Sequence, residues 1–380
     1  MPTPPDSYNT VYISRAALKH NYQALQALVG PQVRLLPMIK AEAYGHGLVE
    51  TAKVLAESGA DAFGVADLDE GIRLREAGVQ GQVFVFLGSY CFAELIDYDL
   101  TPIVFDLANI RALSAYAEKR NRIVGVHLKV DTGMGRLGVM LDEVGLYFKE
   151  IEKMPGVFLS GLLSHFPLAD QLESSSTKEQ NSLFEQLDKD PEFSGFGPDN
   201  GVRHIANSAA IINAPWTHHG MVRPGISLYG YYPSADVLSR KTICLKPVMS
   251  FATKIVQLKN VPMGYGVSYG HLFTTSRPSR LAVLPVGYAD GYLRCLTGRA
   301  DVLIRGRRAP VCGRVCMNAT VVDVTDIPDV QVLDEVVLMG AQTYDELSGE
   351  ITADEVAGWM DTISYEVLCL FGNSNQRVYR

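Results

Sequence analysis

The chain has 380 residues, of which 47% are hydrophobic and 20% are charged, and its formal net charge is -8. That length and apolar content are enough for one large core or for two domains. The negative balance, without a basic cluster, argues against a nucleic-acid partner. The amino terminus, MPTPPDSYNT, lacks the features of a signal peptide, and no apolar run is long enough to span a bilayer. We therefore expect a cytoplasmic protein without a nucleic-acid or membrane partner.

The cysteines are scattered along the chain, as in the reduced thiols of cytosolic enzymes. Cys312 and Cys316 form one C-x3-C pair, but neither a second pair nor a nearby histidine completes a zinc-binding set. We therefore expect no metal site.

Eight short runs of apolar and β-branched residues follow one another along the first two-thirds of the chain. Most are separated by stretches with helical spacing of apolar residues, such as 48–58, 69–78 and 107–120. Strands that alternate with helices predict a parallel sheet, and eight repeats predict a closed (β/α)8 barrel of the TIM type. The predicted strands are 33–40, 61–66, 82–87, 101–106, 123–131, 157–166, 202–208 and 221–230.

Polar side chains stand near the carboxyl ends of several of these strands, where the active site of such a barrel lies. The fold therefore predicts that they face one mouth of the barrel. These residues are Lys40 after the first strand, Arg136 after the fifth, His165 in the sixth, Asn207 and Ser208 in the seventh, and Arg223 in the eighth.

The pattern changes after residue 245. Further strands follow without intervening helices and with glycine and proline between them, which is typical of an antiparallel β domain. One helix, 352–369, comes next, with Thr352 as its predicted cap. We divide the chain into a barrel domain, residues 1–245, and a mainly antiparallel β domain, residues 246–380. The predicted strands of the second domain are 247–261, 280–291, 300–315 and 318–327.

The segment LLPMIKAEAYGHG (35–47) places Lys40 at the end of an apolar strand, shortly before Tyr44, Gly45 and Gly47. An unpaired ammonium is unfavourable to bury, and an imine with an aldehyde cofactor is one solution. The glycines allow the backbone and the Tyr44 hydroxyl to approach an anion such as a phosphate. From these residues alone, a surface lysine beside a turn is the slightly favoured explanation.

The whole segment closely resembles the pyridoxal 5'-phosphate (PLP) lysine motif of alanine racemases. Four more segments resemble the same family in matching order: HLKVDTGMGRLG (127–138), ANSAA (206–210), MVRPGISLYG (221–230) and VSYGHLF (267–273). The resemblance implies a PLP-dependent isomerase that interconverts L- and D-alanine through a PLP Schiff base by a two-base mechanism. It also implies a role in supplying D-alanine for bacterial cell-wall peptidoglycan.

The resemblance also implies which residues hold the cofactor. Lys40 matches the lysine that forms the Schiff base, and Tyr44 matches a tyrosine at the phosphate. Arg223 matches an arginine at the pyridine nitrogen, where most PLP enzymes place a carboxylate. Because arginine can only donate, the ring nitrogen would stay unprotonated, which disfavours transamination. A structural arginine bonded to carbonyls is the alternative for Arg223. The other residues implied at the cofactor are His165, Asn207, Ser208, Gly225, Ile226 and Tyr365.

The second catalytic base implied by the resemblance is Tyr269, which in the family reaches the barrel mouth of the opposite subunit. This implies a head-to-tail homodimer with composite active sites. Arg136 and the backbone of Met317 are implied at the substrate carboxylate. Lys129 matches a lysine that is carbamylated in some members, where it holds the arginine matched by Arg136; an exposed strand lysine is the alternative.

The chain departs from the family pattern at VCMNAT (315–320), where Asn318 stands in place of the usual aspartate. This position is near Tyr269 in the family, so the loss of a negative charge there leaves the rate and the pH optimum of the reaction undetermined. The reaction class is not affected. Tyr288, Tyr292 and Arg294 resemble the residues of the family's substrate corridor.

Three alternatives stay open at this point. A related racemase could act on serine or on a broader range of amino acids. A barrel-type PLP decarboxylase shares the two-domain plan, but Arg223 argues against it, since such an enzyme is expected to have a carboxylate at the ring nitrogen. A PLP-carrier protein built on a lone barrel is disfavoured by the second domain and by the VSYGHLF segment.

Overall fold

The computed structural model describes residues 7–88, 90–187, 201–240 and 242–380. These residues separate into two compact units. The barrel unit consists of Ala17–Ala43 and Leu48–Lys246. The sheet unit consists of Pro247–Arg380 together with residues 7–16 and the short segment Tyr44–Gly47. Residues 7–16 thus precede the barrel strands in the chain but belong to the sheet unit.

The strands that precede residue 230 are short, and those of the barrel are largely buried. Numbered in chain order, they are β1 (Thr10–Ile13), β2 (Arg34–Leu35), β3 (Ala62–Val65), β4 (Gln82–Val85), β5 (Leu100–Val104), β6 (Val124–Lys129), β7 (Val157–Leu163), β8 (Val202–His204) and β9 (Met221–Val222). All residues of β3 and β5 are buried, which is why these strands read as continuous apolar runs rather than alternating ones.

The strands β2 to β9 form a parallel barrel. Six of them make one sheet in the order β3-β4-β5-β6-β7-β8, and β2 pairs with β9. Parallel bridges between Met38 and Gly64 and between Asn207 and Arg223 join that pair to both edges of the six-stranded sheet. The predicted eight-stranded barrel is therefore confirmed, although its eighth strand is shorter than 221–230 because a 3-10 turn begins at Ile226.

The helices of the barrel unit alternate with its strands. Two of them begin at aspartates that cap them: Asp67 accepts from the Glu70 N–H at 3.1 Å, and Asp106 accepts from the Asn109 N–H at 2.9 Å. The described helices are Arg15–Val29, Leu48–Glu57, Leu68–Glu76, Phe92–Asp97, Leu107–Lys119, Val144–Glu152, Ser176–Gln186, Ser208–Asn213 and Ala235–Ser239. Across the described ranges, no helix is both long and apolar enough to cross a membrane.

The remaining strands belong to the sheet unit. They are β10 (Met249–Lys254), β11 (Gln257–Val261), β12 (Gly266–Val267), β13 (Phe273–Thr274), β14 (Ser279–Leu284), β15 (Asp301–Ile304), β16 (Arg307–Pro310), β17 (Thr320–Asp323), β18 (Glu335–Tyr344), β19 (Leu347–Ile351) and β20 (Gln376–Tyr379). The main sheet has the order β16-β15-β18-β10-β1-β20, with β19 paired to β18. Its pairs are antiparallel except for β1 with β20, so the predicted mainly antiparallel architecture is confirmed.

Several predicted elements of the sheet unit are divided in the structure. The segment 247–261 contains β10 and β11, which lie in different sheets. The segment 300–315 contains the β15–β16 hairpin, which turns at Arg305 and Gly306, both with positive φ. The strands β1, β12, β13, β18, β19 and β20 have no counterpart in the prediction.

The prediction of a single helix over 352–369 was wrong. The structure has two helices, Ala353–Met360 and Ser364–Ser374, because Asp361 between them adopts a left-handed conformation with φ of 58°. The predicted cap is correct, since Thr352 Oγ1 accepts from the Glu355 N–H at 3.1 Å.

Candidate active site

Lys40 stands at the start of a turn with left-handed backbone. The four residues after it, Ala41, Glu42, Ala43 and Tyr44, have φ angles of 54°, 55°, 53° and 54°. A left-handed conformation disfavours an L-residue by roughly 1–2 kcal/mol, so four in succession need support from their surroundings. Just before the turn, the Ile39 N–H donates to the Gly64 carbonyl at 2.9 Å. Lys40 is thus held between a barrel strand and a strained turn.

Glu70 supports this turn from the first turn of the helix Leu68–Glu76. Its side chain is buried, with 7% exposure. One carboxylate oxygen accepts from the Ala66 N–H at 2.8 Å, and the other accepts from the Glu42 N–H at 3.3 Å. Burial raises the pKa of Glu70, while the N–H groups of Ala66, Glu42 and Ala41 act in the opposite direction because they favour the carboxylate.

Arg223 lies in the barrel interior with 3% exposure. Its Nη2 donates to the carbonyls of Ser164 at 2.6 Å and Ile205 at 3.1 Å, and its Nη1 donates to the carbonyl of His204 at 2.8 Å. Two imidazole nitrogens also face it: Nδ1 of His204 at 2.9 Å from Nη1 and Nδ1 of His165 at 3.2 Å from Nη2. Every partner of the guanidinium among the described residues is neutral.

Desolvation lowers the pKa of Arg223 to about 9, which still leaves the guanidinium charged at neutral pH. The same burial, followed by the charge of Arg223, holds the pKa values of His165 and His204 well below the usual range. His204 Nε2 lies 2.8 Å from Nδ1 of His127, whose pKa is lowered by burial to about 3. A buried cation is therefore surrounded by neutral imidazoles.

Ser208 is at the centre of a cluster of hydrogen-bond donors. Its Oγ accepts from the Gly225 N–H at 2.8 Å and lies 2.9 Å from the Ser227 hydroxyl and 3.4 Å from the Ser227 N–H. Ile226, next to these residues, is fully buried. Asn207 caps the helix that Ser208 begins, since its Oδ1 accepts from the Ala210 N–H at 3.1 Å. The cluster contains hydroxyls and N–H groups but no carboxylate.

Lys129, at the end of β6, is not an exposed strand lysine, since only 6% of it is exposed. Desolvation, together with the charges of Arg223 and Arg136, lowers its pKa to about 8. Lys40 contributes to the same shift, so these cationic groups lie near one another.

Arg136 follows a loop that Asp131 organises. One oxygen of the Asp131 carboxylate accepts from the N–H groups of Gly133, Met134 and Gly135 at 2.8–3.1 Å, and the other accepts from the Arg136 N–H at 3.2 Å. These bonds lower the pKa of Asp131 against the opposing effect of its burial. The loop thus carries Arg136 in a defined backbone geometry, with its side chain exposed.

In the sheet unit, the rings of Tyr44 and Tyr365 are 6.0 Å apart and tilted by 46°. Burial raises the pKa of Tyr44, so its phenol stays protonated and can donate. Gly45 is required beside it, since a Cβ at this position would meet the Leu368 carbonyl oxygen at 2.3 Å.

Tyr269 and Met317 lie on two linked loops of the sheet unit. Ser268 Oγ donates to the Arg314 carbonyl at 2.7 Å and lies 3.2 Å from Cys316 Sγ. The Tyr269 side chain is 71% exposed, and Met317 is also exposed.

A third segment joins these loops, because the Tyr288 and Ala289 N–H groups donate to the Cys316 and Met317 carbonyls. Tyr288 and Asn318 are exposed beside it. Tyr292 was expected to line the substrate corridor. In the structure it is only 1% exposed and stacks on Phe371 in the core.

The structure adds four residues that the sequence did not single out: Glu70, His204, Ser227 and Asp131. His204 and Ser227 stand inside the strings 202–208 and 221–230, but their importance depends on contacts with Arg223 and Ser208. Asp131 begins DTGMG, where an aspartate followed by glycines is a turn signal.

The donor set fits PLP. Hydroxyls and N–H groups around Ser208 suit a phosphate, and a charged arginine suits an unprotonated ring nitrogen. Arg223 uses its two terminal nitrogens in the contacts above, which leaves Nε–H as a further donor. Among the described residues, no group of three His, Cys, Asp or Glu could hold a metal ion.

The comparisons with known proteins agree over nearly the whole chain. The sequence profile of the family "Alanine racemase, N-terminal domain" matches residues 13–233, and that of "Alanine racemase, C-terminal domain" matches residues 248–379. An alanine racemase of Desulfosudis oleivorans is 44% identical over 375 residues, which covers 96% of this chain and 94% of the relative. One from Halothermothrix orenii is 42% identical over 374 residues, covering 97% and 96%.

Solved structures give the same result. An alanine racemase of Clostridium difficile 630 superposes with a TM-score of 0.90 at 33% identity, covering 99% of this chain and 96% of that one. An alanine racemase of Bartonella henselae with covalently bound pyridoxal phosphate gives a TM-score of 0.85 at 26% identity, covering 99% and 100%. Both family profiles and near-complete relatives lead to one conclusion: the chain belongs to the alanine racemase family.

Proposed function

We propose that the protein is a PLP-dependent isomerase that interconverts L- and D-alanine, with PLP linked to Lys40. The main support for the proposal is the environment of Arg223. This arginine is buried among carbonyls and neutral imidazoles, and none of its described partners is a carboxylate. When bound, PLP acts as an electron sink that makes the α-proton of an amino acid acidic. An arginine at the ring nitrogen, in place of an acid, would leave that nitrogen unprotonated and would weaken the electron withdrawal. Weaker withdrawal favours return of the proton to Cα, as in racemisation, over transamination.

The other cofactor contacts follow from the donor cluster. The phosphate is held by Ser208, by the backbone of Gly225 and Ile226, and, as the resemblance implies, by Tyr44 and Tyr365. Ser227 adds a second hydroxyl to this set. His165 and Asn207 line the cofactor; Asn207 does so as the cap of the helix that presents Ser208.

Two bases share the proton transfer at Cα. The amine of Lys40 removes or returns the proton on one face, and the phenol of Tyr269 acts on the other face. The substrate carboxylate is bound by the guanidinium of Arg136, whose fork suits a carboxylate, and by the backbone of Met317. A carbamate on Lys129 would replace a repelling cation by an anion that holds Arg136. Asn318 adjusts the surroundings of Tyr269, and Tyr288 lies along the substrate corridor.

Tyr269 and Met317 come from a second copy of the chain in a head-to-tail homodimer. Their exposure and the bonds that link their loops support this arrangement. The bulk of Tyr269 and Tyr365 favours the small side chain of alanine over serine or larger substrates. The protein acts in the cytoplasm, where D-alanine is supplied for peptidoglycan.

A steady-state assay tests the proposal. The purified protein is incubated with L-alanine or D-alanine, with and without added PLP, and the enantiomers are separated. We expect interconversion in both directions, dependent on PLP and faster with alanine than with serine. Borohydride reduction and peptide mapping should place the pyridoxyl group on the peptide that contains Lys40. Carbon dioxide release from a basic amino acid without racemisation, or label on another lysine, would contradict the proposal.

A further inference from the structure

The turn that follows Lys40 is strained, and its own sequence does not explain why it forms. None of Ala41, Glu42, Ala43 and Tyr44 is a glycine, yet all four have φ angles between 53° and 55°. The side chain of Glu42 bonds to its surroundings: it lies 2.5 Å from Arg73 and accepts from the Leu48 N–H at 3.4 Å. A buried backbone N–H of the turn also needs a hydrogen-bond acceptor, and the Glu42 N–H finds one outside the turn.

That acceptor is the carboxylate of Glu70, which lies 28 residues after Glu42 in the sequence. One of its oxygens binds the Ala66 N–H, at the end of β3, and the other binds the Glu42 N–H, in the turn. A carboxylate that bridges two backbone segments fixes the turn relative to the strand beside it. Because Lys40 immediately precedes the turn, the same bridge holds the backbone from which its side chain extends.

We propose that Glu70 is a positioning residue for the Lys40 amine: its carboxylate holds the left-handed turn 41–44 against β3 and so sets where the lysine can react. Glu70 itself touches neither cofactor nor substrate in this proposal. The inference rests on the proposed linkage of PLP to Lys40, and the experiment separates the two.

The test compares Glu70→Gln with Asp69→Asn. Glutamine keeps the shape of Glu70 but has one acceptor oxygen, so its amide NH2 would face a backbone N–H in place of the second bond. Asp69 is the matched control, since it is an exposed acid of the same helix, with 81% exposure and a distance of 4.0 Å to Arg73. For each variant, PLP is removed and added back, and the rate at which Lys40 becomes reducible by borohydride is followed by peptide mapping. The kcat and KM for alanine are measured in parallel.

We expect Glu70→Gln to slow the labelling of Lys40 and to lower kcat by about tenfold or more, the size expected when a hydrogen bond to a charged group is lost. KM should change much less, because the groups that bind the substrate carboxylate are untouched. Asp69→Asn should match the wild type. If Glu70→Gln is indistinguishable from Asp69→Asn in both labelling and kcat, the positioning role is refuted. If the wild-type label is not on Lys40, the proposed linkage itself fails.

A second variant keeps the inference testable if Glu70→Gln does not fold. Ala41 is exposed and has a φ of 54°, which glycine adopts without strain. Ala41→Gly should raise the melting temperature of the PLP-free protein and, combined with Glu70→Gln, should restore part of the labelling rate. A lower melting temperature for Ala41→Gly would show that the left-handed turn does not form in solution, and the inference would fall.

Discussion

Arg223 Nη2 lies 3.2 Å from Nδ1 of His165, and this contact fixes the tautomer of the histidine. Because a guanidinium can only donate, Nδ1 must accept, and the proton of a neutral imidazole must then be on Nε2. Burial and the Arg223 charge keep the pKa of His165 well below its usual range, so no second proton binds near neutral pH. His165 therefore offers one N–H donor, directed away from the arginine.

The first prediction is that this tautomer persists across the working pH range. Nitrogen NMR of the labelled protein should show His165 with Nδ1 unprotonated and Nε2 protonated from weakly acidic to alkaline pH. His165→Gln should keep part of the activity, since its amide can accept from Arg223 and still donate onward, whereas His165→Leu should not. A doubly protonated His165 at neutral pH would contradict the assignment.

The buried histidines also predict how stability depends on pH. His127, His165 and His204 have lowered pKa values in the folded state, so below pH 6.5 the unfolded chain binds more protons than the folded one. The free energy of unfolding should therefore fall as the pH drops from 6.5 towards 5, with each histidine contributing up to about 1.4 kcal/mol per pH unit.

Guanidinium unfolding at a series of pH values checks this dependence. His127→Gln should reduce the slope, because it removes one of the groups that take up a proton more readily when the chain is unfolded. A stability that is constant between pH 7 and 5, or that rises as the solution becomes more acidic, would count against neutral histidines in the core.

Arg223→Glu should strengthen the electron withdrawal by the cofactor ring, because an acid in place of the arginine allows the ring nitrogen to be protonated. Racemisation should slow by at least about tenfold, since the charged donor is lost. Transamination products and a new long-wavelength absorption band should appear.

Arg223→Lys is the matched control for the electronic effect. It keeps a cation but loses the fork that binds the carbonyls of Ser164, His204 and Ile205. It should slow the reaction without the new band. Unchanged rates and spectra in Arg223→Glu would remove the argument about the ring nitrogen.

Lys129 should react with carbon dioxide. Its pKa of about 8 makes the neutral amine, which is the nucleophilic form, abundant in mildly alkaline solution. The amine nitrogen bonds to the carbon, and a proton is released as the carbamate forms. Carbon NMR with labelled bicarbonate should show a carbamate resonance that grows as the pH rises through 8 and is missing in Lys129→Ala. Identical spectra for the two proteins would show that Lys129 stays an amine.

Subunit exchange tests the shared site. If Lys40 of one chain works with Tyr269 of the other, the Lys40→Ala and Tyr269→Phe homodimers are each defective at both sites. Hybrids then carry one site with both lesions and one with none, because a two-fold dimer repeats its contacts reciprocally. With about half the dimers hybrid, activity should recover to roughly a quarter of wild type.

Native mass spectrometry is the control for this experiment, since it shows whether hybrids form. Hybrids without recovered activity would mean that both bases come from one chain. That result would leave the linkage of PLP to Lys40 unaffected.

The barrel was predictable because its signal is local and repeated. Apolar runs followed by helical spacing identify each strand, and Lys40 and Arg223 stand at or near strand ends that the barrel brings together. The roles of the residues at these ends depended on the resemblance, since a lysine at the end of a strand has several explanations.

The turn after Lys40 could not be predicted from its residues. The segment AEAY has helical propensity, and the usual signal for positive φ is glycine or asparagine. The turn is held by contacts with Glu70 and Arg73, which depend on the packing of the helix Leu68–Glu76 rather than on the segment itself. Likewise, apolar spacing continues across Asp361, and nothing in that spacing shows that a helix ends there.

The pairing of β1 with β20 has a consequence for how the protein is made. The first and last of the described strands are neighbours in one sheet, with Thr10 opposite Gln376 and Ile13 opposite Tyr379. During synthesis, β1 leaves the ribosome before any of its sheet partners exists, whereas each of the barrel strands β4 to β8 follows a neighbour that is already made. The edge of β1 that β20 covers stays open until residues 376–379 have been synthesised. A stalled or truncated chain would therefore expose a strand edge ready to pair with another molecule.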